Sequence, residues 1–217
     1  MSNLIERAAS RLLTTATVVG NTPVSDALHE VTLTAPQFAG WESKPGQSVR
    51  LMFGLSALRT YSIWSRAGSE LVLRGLGHHG RGPGSAWMAS ARAGDTVSMT
   101  KPRGVFGLDP GAPWHLFAGD ESGSVPLLAM RAELPSHAVV HGVLEGSGAD
   151  GELPWVSGGL AAAVRSLDLP DEPGVAYLAG EQAVCLEIRR YLREERGWPR
   201  RAVRVSAHWA PGKRGLE

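Results

Sequence analysis

The sequence predicts a β plus α/β fold: an antiparallel six-stranded barrel first, then a parallel-sheet α/β domain. Three observations carry the two-part architecture. The first half holds short β-branched runs broken by Gly and Pro, strand and helix patterns alternate from about Trp114 onward, and the two regimes meet at the turn-rich stretch Pro110 to Pro113. At 217 residues the chain accommodates two compact parts of roughly 100 residues each. The expected domains are therefore residues 1–109 and 113–217.

The N-terminal stretch MSNLIERAASRLL is amphipathic and carries Glu6, Arg7 and Arg11, which does not match a secretory leader. No run of eighteen apolar residues follows, so the expectation is a cytoplasmic protein without a membrane span. Six runs then read as strands: ATVVG, HEVTLTAP, QSVRLMF, RTYSIWS, SELVLRGL and DTVSMTKPRG. Their spacing and turn signals fit a small antiparallel barrel or a sandwich. Pro45-Gly46 and Ala93 to Asp95 supply turns into the strands that follow them, and GPGSAWMASARAG reads as one short helix. In the second half HLFAGD, AVVHGVLE, VAYLAG and VRVSAHW alternate with the helical patterns VPLLAMRAEL, GLAAAVRSLDL and EQAVCLEIRRYLREERG. That alternation implies a parallel sheet with flanking helices.

Composition narrows the function. A hydrophobic fraction of 43% and a charged fraction of 20% are those of a globular protein. The net charge of +1 lacks the basic excess of a nucleic-acid binder. With Cys185 as its single cysteine the chain cannot form an intramolecular disulfide, nor supply the roughly four thiolates of an Fe–S cluster. Electrons, if this protein moves them, travel on an organic group. Cys185 falls in the apolar stripe Ala183, Val184, Leu186, Ile188 and reads as a buried thiol. His78, His79, His115, His137, His141 and His208 offer no pair at metal-ligand spacing on a helix, so no bound metal is expected.

Two patterns in the first half suit a flavin. Arg59, Tyr61 and Ser62 lie on one strand, where alternation puts Arg59 and Tyr61 on the same face. An aromatic ring to stack on the isoalloxazine, a hydroxyl near its edge and an arginine for phosphate are what such a cofactor requires. Some twenty residues later His79, Gly82, Pro83, Gly84, Ser85 and Trp87 open the short helix. Glycines let backbone approach a pyrophosphate, and a helix N-terminus presents N–H groups with a positive dipole end. Taken singly, the first pattern also fits an ordinary barrel strand and the second a bare glycine-rich turn. Together, in this order and ahead of an α/β half, they favour flavin.

The nucleotide side rests on two strand-to-helix turns, Gly119-Asp120-Glu121-Ser122 and Gly180-Glu181-Gln182, because no GxGxxG is present. Asp120 reads both as a cofactor contact and, with Ser122, as a helix cap. The arginines of IRRYLREERGWPRR read as a solvated face with pairs such as Arg190 with Glu194.

HEVTLTAP, PGQSVRL, RTYS, GPGSAW and ARAGD resemble the flavin domain of ferredoxin-reductase-type enzymes, and GPGSAW with ARAGDTV is similar to its siderophore-interacting branch. The resemblance runs over nearly the whole chain. Its most specific pieces are GDESGSVPLLAMRAELP, AGEQAVCLEIRRYLREERG and VRVSAHWAPGKRG in the second half. It implies FAD as cofactor, NAD(P)H or another reductant as donor, and reduction of a ferric siderophore with release of ferrous iron in the cytoplasm. It also implies a cationic rim beside the flavin for an anionic chelate, formed by Arg204, Lys213 and Arg214, and no catalytic acid or nucleophile from the protein. The sequence departs from the family at Trp64, where a second arginine is common, and between Glu145 and Ala161, which is shortened. A general flavin reductase or electron-transfer flavoprotein, and a non-catalytic flavin-binding module, are the alternative readings.

Overall fold

The computed structural model describes residues 13–54, 57–77, 82–148 and 153–212. The chain divides into two compact units between Val105 and Phe106. The division falls ahead of the expected linker because residues 106–109 are tied to the second unit. Phe106 packs edge-on against Tyr177 at 6.1 Å, and the Asp109 carboxylate pairs with Arg204 at 3.0 Å.

The first unit is a closed barrel with strand order β1-β2-β5-β4-β3-β6, and all its paired strands are antiparallel. The strands are β1 (Thr14–Pro23), β2 (Leu28–Thr34), β3 (Ser48–Phe53), β4 (Ala57–Ala67), β5 (Glu70–Leu76) and β6 (Thr96–Met99). Closure decides the barrel over the sandwich, and it leaves no unpaired edge. Alternate residues turn inward: Ala16 and Val18, Val31 and Leu33, Val49 and Leu51, Leu71 and Leu73, Val97 and Met99 are all buried. Each such large apolar side chain contributes about 1.5 to 3 kcal/mol by leaving water. Helix α1 (Pro83–Ser90) packs on β5, β2 and β3 and buries Met88 fully. Its last turn is held by Asn21, whose amide donates to the carbonyls of Met88 and Ala91.

The second unit is a five-stranded sheet of order β11-β10-β7-β8-β9, parallel throughout. It runs β7 (His115–Asp120), α2 (Glu121–Ala132), β8 (Val140–Glu145), β9 (Trp155–Val156), α3 (Leu160–Arg165), β10 (Val175–Glu181), α4 (Gln182–Arg190) and β11 (Val203–Trp209). The central strands HLFAG and VAYLAG are buried throughout, as a parallel sheet covered on both faces requires. One face packs Leu116, Ala118, Ala176 and Leu178 against Cys185, Ile188, Leu160 and Val164. Burial pushes the Cys185 thiol up to about 12, with Asp120 and Glu181 adding to the effect, so it is an inert core residue. Among the described residues between β8 and α3, the stretch noted as shortened holds the two-residue strand β9.

The long final helix expected over residues 181–197 is regular over α4 and changes its winding towards the end. Beyond Arg190 the chain makes a π turn, Tyr191–Glu195, which adds a residue per turn and rotates the faces. Arg190 and Glu194 therefore form no ion pair, and Glu195 instead meets Arg165 through two bonds of 2.6 Å.

Candidate functional site

In the first unit the candidate residues converge where α1 begins. β4 presents Arg59 and Tyr61 on one face, aligned with Leu51 and Val49 of β3. A Cβ placed on Gly84 would lie 2.4 Å from the Tyr61 hydroxyl oxygen and 2.9 Å from Arg59 Cγ. Only glycine lets the helix come this close to both side chains. The Tyr61 ring also lies over Gly75, and it neighbours Trp87 at 6.4 Å, which in turn neighbours Phe53 at 5.8 Å. Burial raises the Tyr61 phenol well above the ordinary tyrosine range, with the Arg59 charge opposing, so the hydroxyl keeps its proton. Arg59 donates to the Leu58 carbonyl at 2.6 Å and, among the described residues, has no carboxylate partner.

The start of α1 suits an anion. Gly82 takes φ +127° and caps the helix without a side-chain hydrogen bond, Pro83 sits in the first turn, and a Cβ on Gly82 would meet nothing within 4 Å. The first-turn N–H groups thus stand at a helix end that has no side-chain cap from Gly82. A guanidinium free of acids, a protonated phenol and a helix N-terminus match the phosphates and ring edge of FAD, so the residues present fit that group. Ser62, aligned with Ser48, stands on the opposite face of β4 from Tyr61. His79 lies outside the described residues. At the family's second arginine position, Trp64 is the extra residue of a bulge between Ile63 and Ser65. Arg74 of the neighbouring strand lays its guanidinium 3.6 Å from the Trp64 ring centre while donating to Glu30 at 2.9 Å.

In the second unit the strand order reverses between β7 and β10, and ligands of open α/β sheets bind outside the carboxyl ends of strands at such a point. Asp120 fills it. One carboxylate oxygen accepts from Ser122 Oγ at 2.6 Å and Gly123 N at 3.0 Å, and the other from Glu181 N at 2.8 Å and Trp209 Nε1 at 2.7 Å. Asp120 is thus the cap of α2, whereas Ser122 supports that cap as a donor. With four protein donors on it, the carboxylate acts as a pin joining three chain segments. Gly180, at φ +125°, permits this, since a Cβ there would sit 2.4 Å from Asp120 Cγ. Two further carboxylates are taken up the same way. Glu121 accepts from Ser147 N and Oγ, and Glu145 accepts at 2.7 Å from Leu160 N, where Gly159 provides no cap to α3.

Arg204 does not stand free. It bonds the Gly107 carbonyl, pairs with Asp109 at 3.0 Å and lies over the Tyr177 ring, whose hydroxyl accepts from Asp109 N at 2.8 Å. It thereby holds residues 107–109 in place, with its side chain 29% exposed. Lys213 and Arg214 lie outside the described residues. Sequence reasoning also missed Trp209 and His208, whose Nδ1–H donates to the Ser122 carbonyl at 2.9 Å. The pair HW at the end of a parallel strand was the available signal.

Two family models match the chain, one described as a siderophore-interacting FAD-binding domain over residues 54–106 and one as siderophore-interacting protein over residues 112–212. An uncharacterised protein of Mycobacterium tuberculosis is 29% identical over 176 residues, covering 68% of this chain and 62% of the relative. That match spans less than two thirds of the relative's length. Ferric vibriobactin reductase of Vibrio cholerae is 26% identical over 257 residues, covering 98% of this chain and 94% of the reductase. The crystal structure of a siderophore utilization protein from T. fusca superposes with a TM-score of 0.83 at 24% identity, over 94% of this chain and 95% of that one, and shares the fold.

Proposed function

From a chain that belongs to the siderophore-interacting protein family, with FAD as its cofactor, we propose a reductase that delivers electrons from NAD(P)H to ferric siderophores in the cytoplasm and releases ferrous iron. The observation that carries the reading is the convergence of Arg59 and Tyr61 on Gly84 at the start of α1. Bound FAD supplies the ability to accept two electrons at once and pass them on singly. Arg59 and the first-turn N–H groups of α1 hold its phosphates, while the protonated Tyr61 hydroxyl donates a hydrogen bond at the ring edge. Trp87 lies beside the Tyr61 ring, and Phe53 lies beside Trp87.

The iron chemistry asks for no protein acid or nucleophile. Hard oxygen ligands hold Fe³⁺ far better than Fe²⁺, so a one-electron reduction loosens the chelate. Lys213 and Arg214 carry the proposed attraction for an anionic chelate, and Arg204 positions residues 107–109 instead. Among the described residues no helix is long and apolar enough to cross a membrane.

The test is anaerobic. FAD-loaded protein is mixed with NADH or NADPH, then with a ferric siderophore and a ferrous chelator. Bleaching of the flavin band by the donor, followed by its return as the ferrous complex forms, is expected. Flavin that returns only when oxygen or free flavin is added, with no ferrous complex, would overturn the reading.

A further inference from the structure

Trp209 combines two properties that seldom occur together. It is 43% exposed, yet its indole is fixed by a 2.7 Å bond to a carboxylate that three other donors also hold. It is the last residue of β11, aligned with Glu181 at the end of β10, so it stands at the carboxyl edge beside the point where the strand order reverses. The preceding residue is anchored as well, through the His208 bond to Ser122. The ring is therefore anchored through its N–H and partly bare where an α/β sheet receives its ligand. Of the helix starts along this edge, Gly123 N of α2 bonds Asp120 and Leu160 N of α3 bonds Glu145, whereas α4 begins after Glu181 without a side-chain cap. A rigid indole suits a planar base because every base has a π face and the ring loses little entropy on binding.

We infer that Trp209 is the stacking platform for a heteroaromatic ring of the nicotinamide dinucleotide donor, and that Asp120 orients the indole for it. The inference rests on the proposed NAD(P)H-linked activity and names the residue of this chain that receives the donor.

Two substitutions separate stacking from clamping. Trp209→Phe keeps a ring and loses the N–H donor, whereas Trp209→Gln keeps an N–H donor for Asp120 and loses the ring. Calorimetric titration of the FAD-loaded proteins with NAD⁺ is the readout. Loss of stacking predicts a dissociation constant at least about fivefold weaker for Trp209→Gln. Trp209→Phe should bind more tightly than Trp209→Gln. Titration with ADP-ribose and with nicotinamide mononucleotide then identifies the ring: the fragment whose affinity falls in Trp209→Gln is the one stacked. The reverse order, with Trp209→Gln matching wild type, would make Trp209 a clamp alone and overturn the inference. So would a wild-type protein that binds no NAD⁺ at millimolar concentration. Dithionite-reduced wild type presented with a ferric siderophore keeps the two ideas apart: iron reduction without NAD⁺ binding overturns the platform and the nicotinamide donor but leaves ferric reduction standing, and NAD⁺ binding without iron reduction overturns the ferric reductase but leaves the platform.

Discussion

Trp209 donates its indole N–H to the Asp120 carboxylate at 2.7 Å, joining the end of β11 to the start of α2 across 89 positions of sequence. The same carboxylate holds Ser122, Gly123 and Glu181, so the carboxyl edge of the sheet is organised around one side chain.

Replacing that side chain by its amide tests the pin. Asp120→Asn has one acceptor oxygen where the native residue has two, so the Glu181 N–H and the Trp209 indole, or the two α2 donors, lose their partner. The expected loss of stability is about 2 to 4 kcal/mol, from two unmade bonds to a charged group. Urea unfolding measures it, and an unchanged midpoint would show that water replaces those bonds at no cost.

The closeness of Gly84 to Tyr61 and Arg59 makes a methyl group there disruptive. Gly84→Ala places Cβ within 2.4 Å of the Tyr61 oxygen, so α1 or both side chains must shift. The purified variant should carry much less FAD than wild type while retaining its circular dichroism spectrum. Arg59→Ala, which removes a charge-assisted phosphate bond, should weaken FAD binding by about 1.5 to 3 kcal/mol. Full flavin content in both variants would move the cofactor elsewhere.

Acid stability follows from two histidines held neutral. Burial lowers the proton affinity of His115, with Asp109 opposing and Arg131 assisting, and burial likewise lowers that of His208 against Asp120 and the Ser122 carbonyl. A depressed folded-state value means that the unfolded chain takes up protons first. Stability is then complete above the unfolded value of about 6.5 and falls as pH drops below it toward the folded values. His115 is 2% exposed, stacks against Phe117 at 6.1 Å, and leaves Nδ1 without a hydrogen-bond partner. His115→Phe should therefore be at least as stable as wild type at pH 7.5 and lose less stability at pH 5.5. Parallel stability curves for the two proteins would show that His115 titrates alike folded and unfolded.

The carboxyl edge also favours one donor over another. β7, β8 and β10 end in Asp120, Glu145 and Glu181, and the hydrogen-bond partners described above for the first two are neutral donors. An added 2′-phosphate meets like charge there. NADH should reduce the bound flavin with a lower KM than NADPH, and the difference should shrink as salt rises. Equal values for both donors at low salt would place the phosphate away from these carboxylates.

Much of the architecture was legible in the sequence because it depends on neighbours along the chain. Period-two runs between Gly and Pro marked all six barrel strands, and the alternation of strand and helix marked the second sheet. The flavin-side reading of Arg59 and Tyr61 as one face needed only strand alternation. The sequence by itself thus determined the two-part fold, the short helix at Pro83, the cap at Asp120 and the core position of Cys185. What only the tertiary structure decided are relationships set by register and closure between distant segments. The packing of α1 on the barrel brings Gly84 onto Tyr61 and Arg59, and the register of β4 against β5 lays Arg74 over Trp64. Parallel pairing delivers Trp209 to Asp120, and Arg204 to Asp109. A residue's local pattern states which face it occupies, whereas the partner waiting on that face depends on how far each strand slides along the next, and no local periodicity encodes that offset.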